Sequence, residues 1–258
     1  MARLLQTDIA RWDVLCLGTR GARTMNDQQH DSHVGRVEAH RLDGFIDAAF
    51  AFAVSVLAIA GAEVPHSLHD LMSALDRIPA FACSFATLMI FWHRHVRWRD
   101  RFRLHDTTSM MLSLMLVFFA LIFVYPLNML FQAMFSSLYE ALAHQELSGS
   151  PTITSVHDVK ALYLCYALAY ACMAGCLVCL YRHSLRKVHL QHPERIEARE
   201  VMYTQSGSLC VALLSLCATL LIPETPAWAP LPGFIYMLIS PMYWIAGRWA
   251  RRAKESVA

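Results

Sequence analysis

The sequence predicts an all-α, polytopic membrane protein of six transmembrane helices, and three observations carry that reading. The chain of 258 residues is 56% hydrophobic and only 16% charged, where a soluble domain carries about a quarter charged residues. Its apolar residues come in blocks of about 20, the length a helix needs to cross a hydrocarbon core. Its basic residues gather in alternate connections between those blocks. A soluble bundle of six buried helices explains the first observation but not the last. The formal net charge of +2 is too small to direct the chain to nucleic acid.

The first expected span covers residues 44–62, and the second covers 74–95 and ends in Phe91-Trp92-His93. The third covers 108–133, with Pro126 near its outer end. The fourth covers 159–182, and the fifth covers 204–222 and is closed by Pro223. The sixth covers 230–247 and contains Pro241, which a membrane helix tolerates when neighbours satisfy the freed carbonyl. Trp92, Trp98, Tyr125, Trp228, Tyr243, Trp244 and Trp249 fall near span ends, as an interfacial aromatic belt requires.

Of the 22 Lys and Arg, all but Arg77 and Lys160 fall on one side. They lie at or before Arg41, from Arg94 to Arg103, from Arg182 to Arg199, and from Arg248 to Lys254. The opposite connections hold Glu63, Asp70, Glu140, Glu146 and Glu224. Basic loops stay in the cytoplasm, so both termini are expected there, in a cell (inner) membrane protein. Residues 1–40 read as an N-terminal cytoplasmic segment, partly disordered and without a secretory signal, in which Met25 is a second candidate start. Residues 41–250 form the membrane domain, and 251–258 a basic tail. Residues 136–157 form the longest outer connection, turning at Ser148-Gly149-Ser150-Pro151, and 183–203 a cytoplasmic link that is partly helical.

The first span is the unusual one. Asp47 stands in its opening turns, where the positive end of the helix dipole offsets part of its cost. That cost is about 2.5–3.5 kcal/mol for a charge at a helix centre and less near an end. Asp43 and Asp47 are four apart and repel on one face, so a cation from elsewhere is expected to relieve them. Arg41 is six residues from Asp47, on a different face, and is expected to pair with another helix. Ala48, Ala49, Ala51, Ala53, Ser55 and Ala58 permit close helix approach. Ala48, Phe52, Ser55 and Ile59 fall at i, i+4, i+7 and i+11 on one face. That face suits either helix packing within one subunit or a narrow apolar pathway shared by several.

Here the residues resemble a known family. Arg-x-x-x-Phe-Ser-Asp at the start of span one, followed by alternating small and aliphatic residues, is the signature of the transmembrane protein 175 type of potassium channel. This chain has Arg41, Phe45 and Asp47 at matching positions, with Ile46 where the family has serine. Trp92 followed by His95, Pro126 closing a long aliphatic run, and Leu162-Tyr163 and Tyr181-Arg182 in span four continue the likeness over residues 36–250. The resemblance implies a homotetramer of six-span subunits whose first helices surround a pore, with potassium as the permeant ion and no cofactor. It implies a constriction at Phe52, a selecting hydroxyl at Ser55 and a second apolar ring at Ile59. It further implies a polar network at the cytoplasmic end involving Arg41, Phe45, Asp47, Trp92 and His95. The family usually has isoleucine or leucine at the position of Phe52. Four phenyl rings on an axis either seal the path or offer π faces to a dehydrating cation. A non-conducting sensor or assembly protein on the same fold is therefore the alternative, and a secondary transporter or membrane enzyme the third.

Other constellations carry less. Cys165, Cys172, Cys176 and Cys179 share a face of span four that is too long for one metal site and reads as small-residue packing, with Cys210 and Cys217 against it. His66-x-x-His69 beside Asp70 is a weak candidate metal pair. His95 is placed to reach Arg99 or the Asp47 region. The arginine row from Arg94 to Arg103 reads as a topology signal that meets anionic lipid headgroups. No Gly-rich phosphate loop, no Gly-x-Ser-x-Gly and no His-Glu-x-x-His occurs, so an enzyme reading has no local support.

Overall fold

The computed structural model describes residues 41–60, 66–104, 106–143, 155–188, 192–221, 223 and 231–255. The expectations for residues 1–40, the outer turn 148–151, and Trp228 lie outside these. Within them the chain is helical throughout, in the order α1 (Arg41–Ile59), α2 (Leu68–Asp76), α3 (Ile78–Phe102), α4 (Thr107–Ala143), α5 (Val156–Lys187), α6 (His192–Leu221), α7 (Leu231–Ile235), a 3-10 turn (Tyr236–Leu238) and α8 (Ile239–Glu255). The chain divides into two units, Met1–Phe45 and Ile46–Ala258. Of the first, only the opening turn of α1 is described.

Local chemistry sets the helix starts. Ser67 caps α2: its Oγ accepts from Asp70 N at 3.1 Å, while Asp70 Oδ2 accepts from Ser67 N at 3.0 Å. Ser155 and Asp158 repeat the capping box at the head of α5. Pro79 stands in the first turn of α3, where its missing N–H costs nothing. The same helix ends on Arg103 in the left-handed region, φ 45°, with its N–H on Arg99 O.

Four helices are long and apolar enough to cross a membrane: α1, Thr107–Glu140 of α4, α5, and Glu194–Leu221 of α6. A fifth crossing is available if α2 and α3, bent by 41° at their junction, count as one span. The second span expected as a single helix over 74–95 is thus interrupted at Arg77 and continues to Phe102, since arginines at a helix end can reach the interface without unwinding it. The sixth expected span falls on three contiguous helical elements. α7, the 3-10 turn and α8 follow one another, with Pro232 and Pro241 along the run and a strongly basic second half. Residues 192–203, expected as a partly helical link, are the continuous start of α6.

In the second unit α5 is the central element, packed against α4 and α6, with Ala167, Met173, Ala174, Leu177 and Leu180 fully buried. An aromatic cluster ties its neighbours to it. Phe91 of α3 meets Tyr170 at 5.2 Å, Phe123 of α4 meets Tyr166 at 5.2 Å, and Tyr236 meets Tyr166 at 5.0 Å. At the other end of α5, Ser184 Oγ accepts from Trp98 Nε1 at 2.8 Å, and the Tyr181 hydroxyl donates to Arg94 O at 3.2 Å.

Candidate functional site

The first helix divides cleanly into two faces. Ile46, Phe50, Ala53 and Leu57, spaced i, i+4, i+7 and i+11, are at most 1% exposed and pack into the second unit. The opposite stripe, at the same spacing, is Ala48, Phe52, Ser55 and Ile59, and all four are exposed. Phe52 is 61% and Ile59 71% exposed. The face expected to line a shared pathway is therefore the face the single chain leaves open. The Ser55 hydroxyl donates to Ala51 O at 3.1 Å within its own helix. That bond uses its one hydrogen and leaves the hydroxyl oxygen free to act only as an acceptor.

Asp47 lies at the edge of the packed face, where α1 meets α3. Its Oδ1 accepts from Trp92 Nε1 at 3.0 Å and its Oδ2 from Arg99 Nη1 at 3.0 Å. Arg99 is well covered by its surroundings and Asp47 about half-buried. The cation that relieves Asp47 is Arg99, from the stretch expected to follow the second span. Because α3 runs on to Phe102, Trp92, His95 and Arg99 fall at i, i+3 and i+7 on one face.

His95 is fully buried, but its hydrogen bond goes to Ser113 Oγ of α4, at 3.0 Å from Nε2. Its ring lies 5.5 Å from that of Trp98, and Asp47 and Arg99 are its charged neighbours. Nδ1 of His95 has no hydrogen-bond partner among the described residues. Ile46, where the resembling signature has serine, is buried in the apolar face of α1, and Asp47 is satisfied from α3 without a neighbouring hydroxyl. Arg41 and Phe45 belong to the first unit, where both are exposed.

Two anchors escaped the sequence reading. Asn128 Nδ2 donates to Ala60 O at 3.0 Å, so the far end of α1 is held by α4. The visible signal was an amide two residues past Pro126 in an otherwise aliphatic run. Asp106, just before α4, gathers three donors. Ser109 Oγ lies at 2.7 Å, His183 Nε2 at 2.7 Å and Lys187 Nζ at 3.1 Å, which fastens the α3–α4 connection to the end of α5. Burial raises the Asp106 carboxyl, but these hydrogen bonds outweigh it and hold the group well below its ordinary value.

The arginine row is not a uniform solvated strip. Arg99 is spent on Asp47, and Arg97 and Arg101 on Glu197 of α6. Arg94 reaches Thr204 Oγ1 at 3.3 Å under the ring of Tyr243. The Asp70 carboxylate beside His66 and His69 is consumed by the α2 cap, and that bonding, Ser67 first, lowers its pKa. Among the described residues no three His, Cys, Asp or Glu side chains are arranged to hold a metal ion. Of the α5 cysteines only Cys176 is buried, and Cys210 and Cys217, expected against them, are exposed.

The family model described as endosomal/lysosomal potassium channel TMEM175 matches residues 41–126, the stretch that holds α1, Trp92, His95, Arg99 and Pro126. A curated potassium channel of Marivirga tractuosa is 26% identical over 222 residues, 81% of this chain and 86% of that protein. The crystal structure of a single-residue variant of the potassium channel MtTMEM175, in complex with a nanobody–MBP fusion protein, superposes with a TM-score of 0.69 at 25% identity, covering 82% of this chain and 93% of that one. In the signature on α1, its partners on α3 and the helical fold, this chain is similar to potassium channels of the TMEM175 type.

Proposed function

We propose that this chain is a subunit of a homotetrameric cation channel that passes potassium. In this reading six spans cross the membrane, both termini are cytoplasmic, and four copies of α1 line the pathway. The observation that carries the proposal is the open stripe Ala48, Phe52, Ser55 and Ile59 on a helix whose other face is fully packed. Phe52 forms the constriction, Ser55 presents hydroxyl oxygens one turn on, and Ile59 makes a second apolar ring. Such a pore selects by dewetting and by the few oxygens that replace lost hydration, without a carbonyl filter. Asp47, Trp92 and Arg99 set the tilt of α1 at its base, and Asn128 sets it at the far end. The curated match and the solved structure both carry the name potassium channel, which supports potassium as the ion.

Phe52 favours one rival, a non-conducting assembly or sensor protein on the same fold, because four phenyl groups at one level are bulky. Flux separates the two. In vesicles loaded with potassium, Phe52→Ala is expected to raise flux several-fold over the parent, and Ser55→Ala to reduce discrimination between potassium and sodium. No flux from a folded tetramer, parent or variant, would leave the rival standing.

A further inference from the structure

We propose that the second half of α8 is a binding surface for the phosphodiester headgroups of anionic phospholipids. Its aromatic residues place it at headgroup depth. Trp244 and Trp249 are 59% and 48% exposed on a helix that carries apolar residues before them and bases after them. Exposed indoles reside at the boundary between acyl chains and headgroups. Trp249 is steadied edge-on by Tyr203 of α6, at 6.2 Å between ring centroids.

The charges at this end differ from those of α3. Arg97, Arg99 and Arg101 are each taken by a carboxylate. Arg248 makes no ion pair among the described residues; its guanidinium lies 4.4 Å from the centroid of the Trp244 ring. A π face orients a guanidinium without neutralising it, so the outward N–H groups keep a full positive charge. Arg251 and Arg252 are exposed on the following turn. A planar fork of donors beside an indole matches a phosphodiester, whose two free oxygens accept it in pairs while the glycerol and acyl chains lie along the ring. Zwitterionic headgroups present the same phosphate with a tethered cation that three arginines repel. The cytoplasmic leaflet as the source of this lipid rests on the topology proposed above, but the binding chemistry does not.

Purified full-length protein in uncharged detergent micelles tests the surface without reference to leaflet or flux. Phosphatidylglycerol is titrated against phosphatidylcholine, and Tm is followed together with tryptophan fluorescence. Phosphatidylglycerol is expected to raise Tm and shift the emission, with phosphatidylcholine and inorganic phosphate doing neither. Replacing Arg248, Arg251 and Arg252 together with Gln is expected to raise the half-saturating phosphatidylglycerol level roughly a hundredfold, at roughly fivefold per arginine. Arg248→Gln alone, which keeps the helix ends intact, gives the fivefold step. Replacing Arg182, Arg186 and Arg195 with Gln removes the same charge from the same side and leaves half-saturation unchanged. Equal losses in the two triple variants, equal response to phosphatidylcholine, the same shift with inorganic phosphate, or an unmoved Arg248→Gln would each overturn the proposal.

Discussion

The Asp47 node ties the base of α1 to α3, and its strength can be worked from the geometry. Its carboxylate accepts one bond from an indole and one from a guanidinium, both at 3.0 Å. Hydrogen bonds to a charged group contribute about 1.5–3 kcal/mol each when shielded. An exposed ion pair contributes only about 0.2–1 kcal/mol. The node lies between, with side-chain exposures of 17% for Arg99 and 39% for Asp47.

Arg99→Gln leaves a carboxylate at the edge of the apolar layer with one donor, and we expect it to cost about 2 kcal/mol. Asp47→Asn keeps an oxygen for Trp92 and removes the charge that needed Arg99, so it costs about 1 kcal/mol. In the double variant neither charge waits for the other across α1 and α3, and the total falls short of the sum by about 1 kcal/mol. The assay is reversible denaturant unfolding of the purified protein in one detergent, read by tryptophan fluorescence, for the parent, both single variants and the double. Additivity within about 0.5 kcal/mol would mean the pair does not couple, and α1 would then be held by the packing of Ile46, Phe50, Ala53 and Leu57 alone. Trp92→Phe is the check on the indole arm: it keeps the ring, removes one N–H donor, and should cost about 1.5 kcal/mol.

Other consequences can be measured on the same preparation. The bonds from Ser109, His183 and Lys187 depress the Asp106 carboxyl in the folded chain, so the unfolded chain binds the proton first. The stability it supplies is complete above the unfolded carboxylate value of 3.8 and drains as pH falls below that value. Thermal unfolding against pH should therefore show an acid-side loss that Asp106→Asn flattens, and parallel curves would refute the assignment. At the α5–α7 contact, a methyl group on Gly233 would come within 2.5 Å of the Tyr163 hydroxyl and 3.1 Å of its ring. Gly233→Ala should cost about 1–3 kcal/mol in unfolding measurements, with Tyr163→Phe in the same chain relieving part of the loss.

Much of the fold was readable because membrane helices announce themselves by length and by the placement of arginine. The spans on α1, α4, α5 and α6 follow from apolar runs between basic connections. The departures share a cause. A helix does not stop where its sequence stops being apolar. α3 runs through Arg94-His95-Val96-Arg97-Trp98-Arg99 because long basic side chains can leave the axis helical and still reach water or a carboxylate. Placing the end of the span at 95 hid Arg99 from Asp47. Continuing the 3.6-residue period for two more turns would have placed it on the Trp92 face. Asn128 was hidden for a different reason: a single amide in an aliphatic run has no periodicity, and only the three-dimensional path of α1 shows which carbonyl it meets.

The open stripe on α1 still has to be told apart from an ordinary lipid-facing surface, and residue size makes that distinction. α4 also leaves a continuous face exposed: Met111, Met115, Phe118, Ile122, Tyr125 and Met129, at alternating spacings of four and three. Every one of those side chains is large, as suits contact with fluid acyl chains. The exposed residues of α1 alternate Phe45, Phe52 and Ile59 with Gly44, Ala48, Ala51, Ser55 and Ala58. Small side chains gain little against lipid, but they let a second helix come close enough for dispersion contacts to accumulate. They also carry the one hydroxyl on that face. In the tetramer proposed above, a helix with large side chains two turns apart among small residues, pinned at its base by Arg99 and Trp92 and at its far end by Asn128, would meet copies of itself at fixed levels. Those levels would be Phe52 and Ile59, with the Ser55 oxygens between them.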